Sequence, residues 1–255
     1  MASGVRLVVP CFDEADRLDV GAFRARLAQD PDLALTLVDD GSRDGTRAVL
    51  EGLARDAGPR VEVVALPHNV GKGEAVRAGV LAALRSGAAY VGWWDADLAT
   101  PFAEVARLRT TLEERPAAWL AMGARVQALG ARIERRALRH YPGRFVAARV
   151  ARMLRLPTYD TQCGAKLFRA EATPAGLFDA PFVTRWLFDV EVLARLERRH
   201  RDGEGPPPED VVVEVPLLSW RDVPGSKVRP TDFFRALWGV RRIRRHYRLT
   251  RRRPR

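Results

Sequence analysis

Short apolar runs alternate with amphipathic stretches from the start of the chain to about residue 125. Each apolar run stops at polar residues or glycine, which is the pattern of a buried strand followed by a turn. The predicted strands are residues 6–10, 35–38, 61–65, 90–94 and 119–123. Helical spacing is found in residues 15–29, 74–85 and 102–114. A further helix is predicted to begin at a cap formed by Asp44 or Thr46. This alternation predicts an α/β fold, with a mainly parallel sheet flanked by helices.

The pattern changes beyond residue 125. Residues 132–156 predict an arginine-rich helix broken at Pro142-Gly143, and residues 158–168 predict a polar loop that enters a strand. A helix at 186–200, a glycine- and proline-rich loop at 201–210 and a strand at 211–215 follow. Residues 232–249 predict a basic amphipathic helix that leads into an arginine tail. Its pattern fits two alternatives equally, a helix on an anionic membrane and a core-packed helix with a solvated tail.

The formal net charge of +11 is concentrated in two segments. Residues 132–155 hold eight arginines against one glutamate, residues 241–255 hold nine arginines and no acid, and the remainder is net acidic. Such segments attract phosphate-bearing substrates, anionic lipid or nucleic acid. No nucleic-acid-binding motif accompanies them, so we expect no nucleic-acid partner and keep that class only as the rival interpretation.

Composition fits a folded domain, with 47% hydrophobic and 29% charged residues. No apolar run reaches the ~20 residues that span a bilayer, and no signal peptide is visible. Cys11 and Cys163 form no metal or disulfide pattern and are expected to be reduced thiols. We therefore expect a cytoplasmic protein, peripheral on the inner face of the membrane.

Two carboxylates, Asp95 and Asp97, directly follow an apolar run. Ligands of parallel sheets bind beyond the carboxyl ends of the strands, where these residues are expected. Mg²⁺ takes one or two protein carboxylates and fills its other positions with water and phosphate oxygens. The Asp95-Ala96-Asp97 string therefore predicts a metal site that neutralises a diphosphate leaving group. A solvated acidic loop is the alternative for so short a motif.

Two further strings stand at predicted strand ends. In Asp39-Asp40-Gly41-Ser42 a carboxylate can accept a hydrogen bond from a nucleobase, although a plain turn capped at Asp44 fits equally. Asn69-Val70-Gly71-Lys72-Gly73 combines glycines with an ammonium near a helix start, which is a common anion-binding arrangement. Its spacing is neither that of a P-loop nor that of a dinucleotide fingerprint.

Together and in this order, the strings resemble those of the inverting family 2 glycosyltransferases. The matching strings of the first half are residues 10–14, 38–42, 69–73 and 95–97. Later strings, at residues 160–168, 188–191 and 220–228, are similar to the polyprenyl-phosphate glycosyltransferase branch, which includes dolichyl-phosphate β-glucosyltransferase. The resemblance covers nearly the whole chain.

The resemblance implies a GT-A fold and a metal-dependent, inverting transfer of a hexose from a nucleotide-diphosphate sugar. It favours UDP-glucose as donor and a polyprenyl or dolichyl phosphate as acceptor. One domain would span 1–230, with a nucleotide-binding half at 1–125 and an acceptor half at 126–230, before a basic helix and tail at 231–255. Asp95 and Asp97 would bind Mg²⁺ or Mn²⁺, and the catalytic residues would be Asp97, Arg125 and Lys227. The implied nucleotide-sugar site comprises Pro10, Phe12, Glu14, Val38, Asp40, Lys72, Asp95, Ala96 and Asp97.

The acceptor decides whether a general base is needed. A lipid phosphate brings an anionic oxygen, whereas a hydroxyl needs a carboxylate, for which Asp189 and Glu191 are the candidates. We favour the phosphate because the arginine-rich segment fits it, and keep a soluble or glycan hydroxyl as the alternative. A nucleotidyltransferase, which also uses paired carboxylates, would instead release pyrophosphate. The predicted acceptor residues are Arg135, Arg136, Arg139, Gln162 and Lys166.

Three positions depart from the family pattern. Asp13 stands where asparagine is usual and adds a negative charge near the base site. Ala165 replaces a usual phenylalanine, which leaves the packing there open. Ala99 stands where related mannosyl enzymes carry a polar residue near the metal, so a third protein ligand is not expected there.

Overall fold

A computed structural model describes residues 4–134, 137–223 and 232–249. The strands are β1 (Val5–Cys11), β2 (Leu33–Asp39), β3 (Val61–Ala65), β4 (Tyr90–Trp93), β5 (Leu120–Ala124), β6 (Arg132–Glu134), β7 (Lys166–Arg169), β8 (Val212–Pro216) and β9 (Ser219–Arg221). A central sheet contains seven of these strands, in the order β3-β2-β1-β4-β7-β5-β8, and β6 and β9 pair separately. The helices are α1 (Val20–Gln29), α2 (Thr46–Ala57), α3 (Lys72–Leu84), α4 (Ala103–Glu114), α5 (Ala137–Leu154), α6 (Phe188–Arg201), α7 (Pro208–Val211) and α8 (Asp232–His246).

The first four strands form a parallel half-sheet. β1 pairs with β2 and β4, and β2 pairs with β3, all in parallel. Helices cover both faces, so these strands are buried on both sides and read as continuous apolar runs. α3 lies very close to β1 because residue 79 is glycine: a Cβ there would lie 2.3 Å from Cγ1 of Val8. The mainly parallel, helix-flanked sheet predicted from the sequence is confirmed.

β7 is inserted antiparallel between β4 and β5. Its backbone approaches β4 at Gly92, where a Cβ would lie 2.0 Å from the carbonyl oxygen of Lys166. Lys166 opposes Trp93 in the register. The start of β7 therefore lies beside the end of β4, immediately before Asp95.

The carboxyl-terminal helix α8 packs on the core through one face and presents arginine on the other. Val240 and Ile243 are buried in the same cluster as residues of α5 and α6. The exposed residues of its last turns include Arg241, Arg242, Arg244 and Arg245. Trp238 is 63% exposed. No helix in the described ranges combines the length and the apolarity needed to cross a bilayer.

The structure corrects several predicted boundaries. Residues 132–134 are a strand, and α5 runs through Pro142-Gly143 without the predicted break. Its apolar side, which includes Val146 and Val150, is buried in the core, and this packing outweighs the local propensity to break. α1 begins only at Val20, because Oδ1 of Asp19 accepts the Ala22 N–H and caps the helix there. The predicted loop 201–210 contains the start of α7.

Candidate active site

Three polar strings meet at one edge of the sheet, where β1, β2 and β4 end. The Asp40 N–H donates to the carbonyl oxygen of Cys11 at 2.8 Å, which joins the string after β2 to the end of β1. The Trp94 N–H donates to the carbonyl oxygen of Val8 at 2.9 Å and aligns β4 with the same edge. This is the edge where parallel sheets bind ligands.

Asp95 is held between a lysine and a glycine. Its Oδ1 lies 2.5 Å from Nζ of Lys72, and both side chains keep some solvent exposure, 30% and 27%. Its Oδ2 lies against Gly164, where a Cβ would be only 2.0 Å away. Burial by itself raises the pKa of Asp95, but the charge and hydrogen bond of Lys72, followed by the charges of Arg125 and Lys166, outweigh it and lower the pKa. Asp95 is therefore an ionised carboxylate.

Asp97 has a different environment. Its Oδ1 accepts the Ala99 N–H at 3.1 Å, in a turn where Leu98 has a φ of 51°. Burial and then the negative charge of Asp95 raise the pKa of Asp97. A hard divalent cation fits this pair, because it would take both oxygen donors and relieve their repulsion. In the described part of the chain, no cluster of three or more His, Cys, Asp or Glu side chains with metal-binding geometry is found. Such a cation would thus use substrate or water oxygens for its other positions.

Asp40 holds the glycine-rich turn that precedes α3. Its carboxylate accepts the N–H groups of Val70 at 2.8 Å and Gly71 at 3.0 Å, and the amide of Asn69 at 3.0 Å. Three of the roughly four acceptor positions of the carboxylate are thereby used. Burial raises the pKa of Asp40, although these N–H groups and the charge of Arg185 oppose the shift. The predicted nucleoside-binding and anion-binding strings are therefore one hydrogen-bonded unit.

The segment after β1 is joined to the same unit. Asp13 has a left-handed φ of 49°, and its Oδ1 accepts the Arg43 N–H at 2.8 Å. Aspartate tolerates this conformation as asparagine does, so the departure from the family pattern preserves the turn. The Glu14 N–H donates to Oγ1 of Thr46 at 2.8 Å. Phe12 is half-buried at this edge.

Arg125 is positioned by a bidentate ion pair on the other side of the DxD string. Its Nε and Nη2 lie 2.6 Å and 2.8 Å from the two oxygens of Asp160, and its guanidinium lies 5.2 Å from the ring centroid of Trp220. Glu214 on β8 accepts the Asp160 N–H at 2.7 Å. Burial lowers the pKa of Arg125, but Asp160 outweighs burial and raises it. Arg125 is thus a fixed positive charge that acts on Asp95.

Lys166 lies in the interior rather than at a surface open to an acceptor. It is 1% exposed, and its Nζ donates to Oδ1 of Asp189 and to the carbonyl oxygen of Cys163, both at 2.6 Å. Nε1 of Trp93 donates to the same aspartate oxygen at 3.2 Å. Burial raises the pKa of Asp189 despite the opposing charge of Lys166. The charge of Lys166 acts on Asp95, whose pKa it helps to lower.

Glu191 is completely buried, and its carboxylate accepts hydrogen bonds from within the protein. It accepts the Val183 N–H at 2.9 Å and 3.0 Å, the Tyr247 hydroxyl at 2.7 Å and Nη2 of Arg195 at 3.2 Å. It therefore ties the segment before α6 to the end of α8.

The remaining predicted residues are distributed as follows. Lys227, Arg135 and Arg136 lie outside the described residues, as does the side chain of Arg139. The side chain of Val38 is buried under α3, and Ala96 is buried as well. The Gln162 N–H donates to Oδ1 of Asp160 at 3.3 Å, and Pro10 is the half-buried residue before the end of β1.

Sequence reasoning missed three residues that the fold brings to the site: Gly164, Arg185 and Trp186. Nη2 of Arg185 donates to Oδ1 of Asn69 at 2.6 Å. The ring centroid of Trp186 lies 5.6 Å from Nζ of Lys72. The string 160–168 in the family resemblance was the only signal for Gly164, and no local pattern singles out the other two.

Comparison with known proteins agrees with this geometry. The model of the family described as "Glycosyl transferase family 2" matches residues 7–175. The chain is 31% identical over 242 residues to dolichyl-phosphate beta-glucosyltransferase of Drosophila melanogaster, covering 88% of this chain and 69% of the relative. It is 27% identical to polyprenol monophosphomannose synthase of Mycolicibacterium smegmatis, covering 92% and 86%. The fold matches glucosyl-3-phosphoglycerate synthase of Mycobacterium tuberculosis, solved with Mn²⁺, UDP and glucosyl-3-phosphoglycerate, with a TM-score of 0.66, 20% identity and coverage of 97% and 79%.

The family model spans well over half of the chain, and the matched region contains all three polar strings at the carboxyl edge of the parallel strands. The similarity to the solved structure, over 97% of this chain, shows that the two share a fold. The chain therefore belongs to glycosyl transferase family 2, in the polyprenyl-phosphate glycosyltransferase branch, and is a glycosyltransferase of the GT-A fold.

Proposed function

We propose that this enzyme transfers glucose from UDP-glucose to a polyprenyl phosphate, with inversion at the anomeric carbon. The similarity to a dolichyl-phosphate beta-glucosyltransferase over 88% of the chain supports both the sugar and the acceptor. The resemblance to a polyprenol monophosphomannose synthase supports the same class of acceptor.

The choice of acceptor rests on the surroundings of the two candidate bases, Asp189 and Glu191. Asp189 is bonded to Lys166 and Trp93, and Glu191 is bonded to Val183, Tyr247 and Arg195. A general base must reach the proton that it removes. Both carboxylates are buried and hydrogen-bonded within the protein, so an acceptor that already carries an anionic oxygen suits this site. A phosphate monoester meets that requirement, whereas a hydroxyl does not.

Asp95 and Asp97 hold a divalent cation, Mg²⁺ or Mn²⁺, in this proposal. The M. tuberculosis relative was solved with Mn²⁺, which supports the class of ion. When bound, the cation supplies neutralisation of the diphosphate leaving group. Lys72 lies beside Asp95 and adds a second positive charge to the same place.

The chain's own residues position both substrates. The nucleoside lies along the strings that contain Pro10, Phe12, Glu14, Val38 and Asp40. Arg125, fixed by Asp160, faces the phosphates of the donor or of the arriving acceptor, and Lys227 contributes a further charge. An acceptor phosphate oxygen attacks the anomeric carbon from the face opposite the diphosphate. The new C–O bond forms as the bond to the diphosphate breaks, and UDP leaves with the electron pair.

A lipid acceptor requires access to a membrane surface, which α8 is suited to provide. Its exposed arginines attract anionic headgroups, and the exposed indole of Trp238 is of the kind that enters the headgroup region. Because Val240 and Ile243 are committed to the core, α8 binds such a surface from the side, as a peripheral contact.

The test is a donor and acceptor screen with purified protein. UDP-glucose and other nucleotide sugars are supplied with Mg²⁺, Mn²⁺ or EDTA, and with polyprenyl phosphate in detergent or a soluble glycan. Transfer is measured as labelled sugar that extracts into organic solvent. We expect UDP-glucose and polyprenyl phosphate to be the productive pair and EDTA to abolish transfer.

Matched aspartate variants distinguish a loss of the metal site from a general effect of replacing an aspartate. Asp95→Asn and Asp97→Asn are expected to lower the rate by roughly 10²-fold or more, since each removes a carboxylate that would hold the cation, and the cation neutralises the leaving group. Asp202→Asn changes an aspartate of a surface pair with Arg198 and should leave the rate unchanged. Transfer only to hydroxyl acceptors, or equal transfer in EDTA, would refute the proposal.

A further inference from the structure

Trp186 presents a large aromatic surface beside the site. Its side chain is 51% exposed, although tryptophan usually buries most of its area. Exposed aromatic rings at the edge of a ligand site are typical contact surfaces, because they supply apolar area and lose little conformational entropy on binding.

The backbone that leads into Trp186 is bonded at two points. The Phe182 N–H donates to Oε1 of Glu74 at 2.6 Å, and the Gly73 N–H donates to the carbonyl oxygen of Arg185 at 3.1 Å. Gly73 favours this approach, since a Cβ there would make tight contacts of 3.3 Å with the same oxygen and 3.0 Å with Cβ of Phe188. The backbone next to the exposed indole is therefore held at a defined place by the first turn of α3.

That place is next to the metal-binding carboxylates. The ring centroid of Trp186 lies 5.6 Å from Nζ of Lys72, which in turn lies 2.5 Å from Oδ1 of Asp95. Along a bound nucleotide sugar, the hexose is the group attached directly to the diphosphate. It must therefore lie within one side-chain length of these carboxylates.

We propose that Trp186 contacts the hexose of the donor and contributes to sugar binding. This inference rests on the proposed function of the site. A pyranose has an apolar face of C–H groups that fits an indole ring, and hydroxyl groups at its edge that can bond to Lys72. The hydrocarbon of a lipid acceptor is a poorer match, because its own phosphate separates it from the anomeric carbon.

The experiment compares binding of UDP-glucose with binding of UDP, in the presence of Mn²⁺, by calorimetry on Trp186→Ala and Trp186→Phe. For the alanine variant we expect the Kd of UDP-glucose to rise by roughly 5- to 10-fold while the Kd of UDP is unchanged. Phenylalanine should restore part of the affinity, since it keeps an aromatic face. Trp238→Ala removes an exposed tryptophan from α8 and should change neither Kd.

Different failures have different meanings. Equal weakening of UDP and UDP-glucose by Trp186→Ala, or no change in either, overturns this inference alone, provided that the wild-type protein binds UDP-glucose. An increase confined to the KM of the lipid phosphate also overturns it, because it assigns the indole to the acceptor. Wild-type protein that binds no nucleotide sugar overturns the proposed function as well.

Discussion

Replacing Lys166 with methionine removes the ammonium of a buried ion pair and keeps the length of the side chain. Lys166 is 1% exposed, and its partner Asp189 is also buried. In the variant, Asp189 keeps the bond from Nε1 of Trp93 at 3.2 Å and the nearby charge of Lys72, and the carbonyl oxygen of Cys163 loses the donor Nζ of Lys166. We expect a large loss of stability, because a carboxylate without its ion-pair partner remains in the core.

The magnitude follows from the burial of the pair. Removing one partner of a buried ion pair costs about 3–5 kcal/mol. The remaining bond from Trp93 places the expected loss near the lower end, at about 3 kcal/mol. With a urea dependence of roughly 3 kcal/mol per molar for a chain of this size, the unfolding midpoint falls by about 1 M.

The loss should depend on pH in a defined direction. Burial raises the pKa of Asp189 in the folded state above its unfolded value, and Lys166 opposes that shift. Such a group destabilises the fold as pH rises from the unfolded pKa through the folded pKa. Without Lys166 the folded pKa rises further, so the variant should lose more stability at pH 8 than at pH 5. Urea unfolding followed by tryptophan fluorescence at both pH values measures this difference.

Two further variants test the reasoning. Lys166→Met combined with Asp189→Leu removes both charges and should recover most of the lost stability. Lys72→Met breaks a partly exposed pair and should cost no more than about 1 kcal/mol. A midpoint unchanged in Lys166→Met, or a double variant as unstable as the single one, would refute the structural role. A raised KM for the acceptor with unchanged stability would instead support the predicted role of Lys166 in acceptor binding.

Two other predictions follow from close contacts around the site. Gly164→Ala should weaken Mn²⁺ binding by about 10-fold or more, measured by calorimetry, because the new Cβ displaces Oδ2 of Asp95. Gly52→Ala on α2, with 3.7 Å to its nearest neighbour, is the control that should bind Mn²⁺ normally. Tyr247→Phe should cost about 1.5–3 kcal/mol in urea unfolding, because Glu191 loses a hydroxyl donor at 2.7 Å; an unchanged midpoint would contradict this.

The elements before residue 125 could be predicted because they depend on local patterns. Both faces of β1, β2 and β4 are buried, so each reads as an apolar run that ends at a turn. Beyond residue 125 the same method failed at residues 132–134 and at Pro142-Gly143, where pairing with β9 and packing of α5 against the core outweigh propensity. The three-residue strands have too few positions to show a period.

The candidate site divides in the same way. The order of the polar strings and their position after strands could be predicted, since parallel strands bring their carboxyl ends to one edge. The burial of Lys166 could not be predicted, because a lysine in a glycine-containing string is expected to be an exposed charge that faces a ligand. Only the pairing of β7 with β4 reveals that its ammonium lies beneath Trp93.

By itself, the sequence determined the alternation of strands and helices in the first half, the carboxylate pair at the end of β4 and the family to which the chain belongs. Only the tertiary structure decided that Gly164 lies against Asp95, that Glu191 is hydrogen-bonded to Tyr247 and that the indole of Trp186 lies beside Lys72. The reason is physical: periodicity along a segment reflects which of its faces is buried. Which distant segment becomes the neighbour depends on sheet order and helix packing, and these contacts leave no local pattern in the chain.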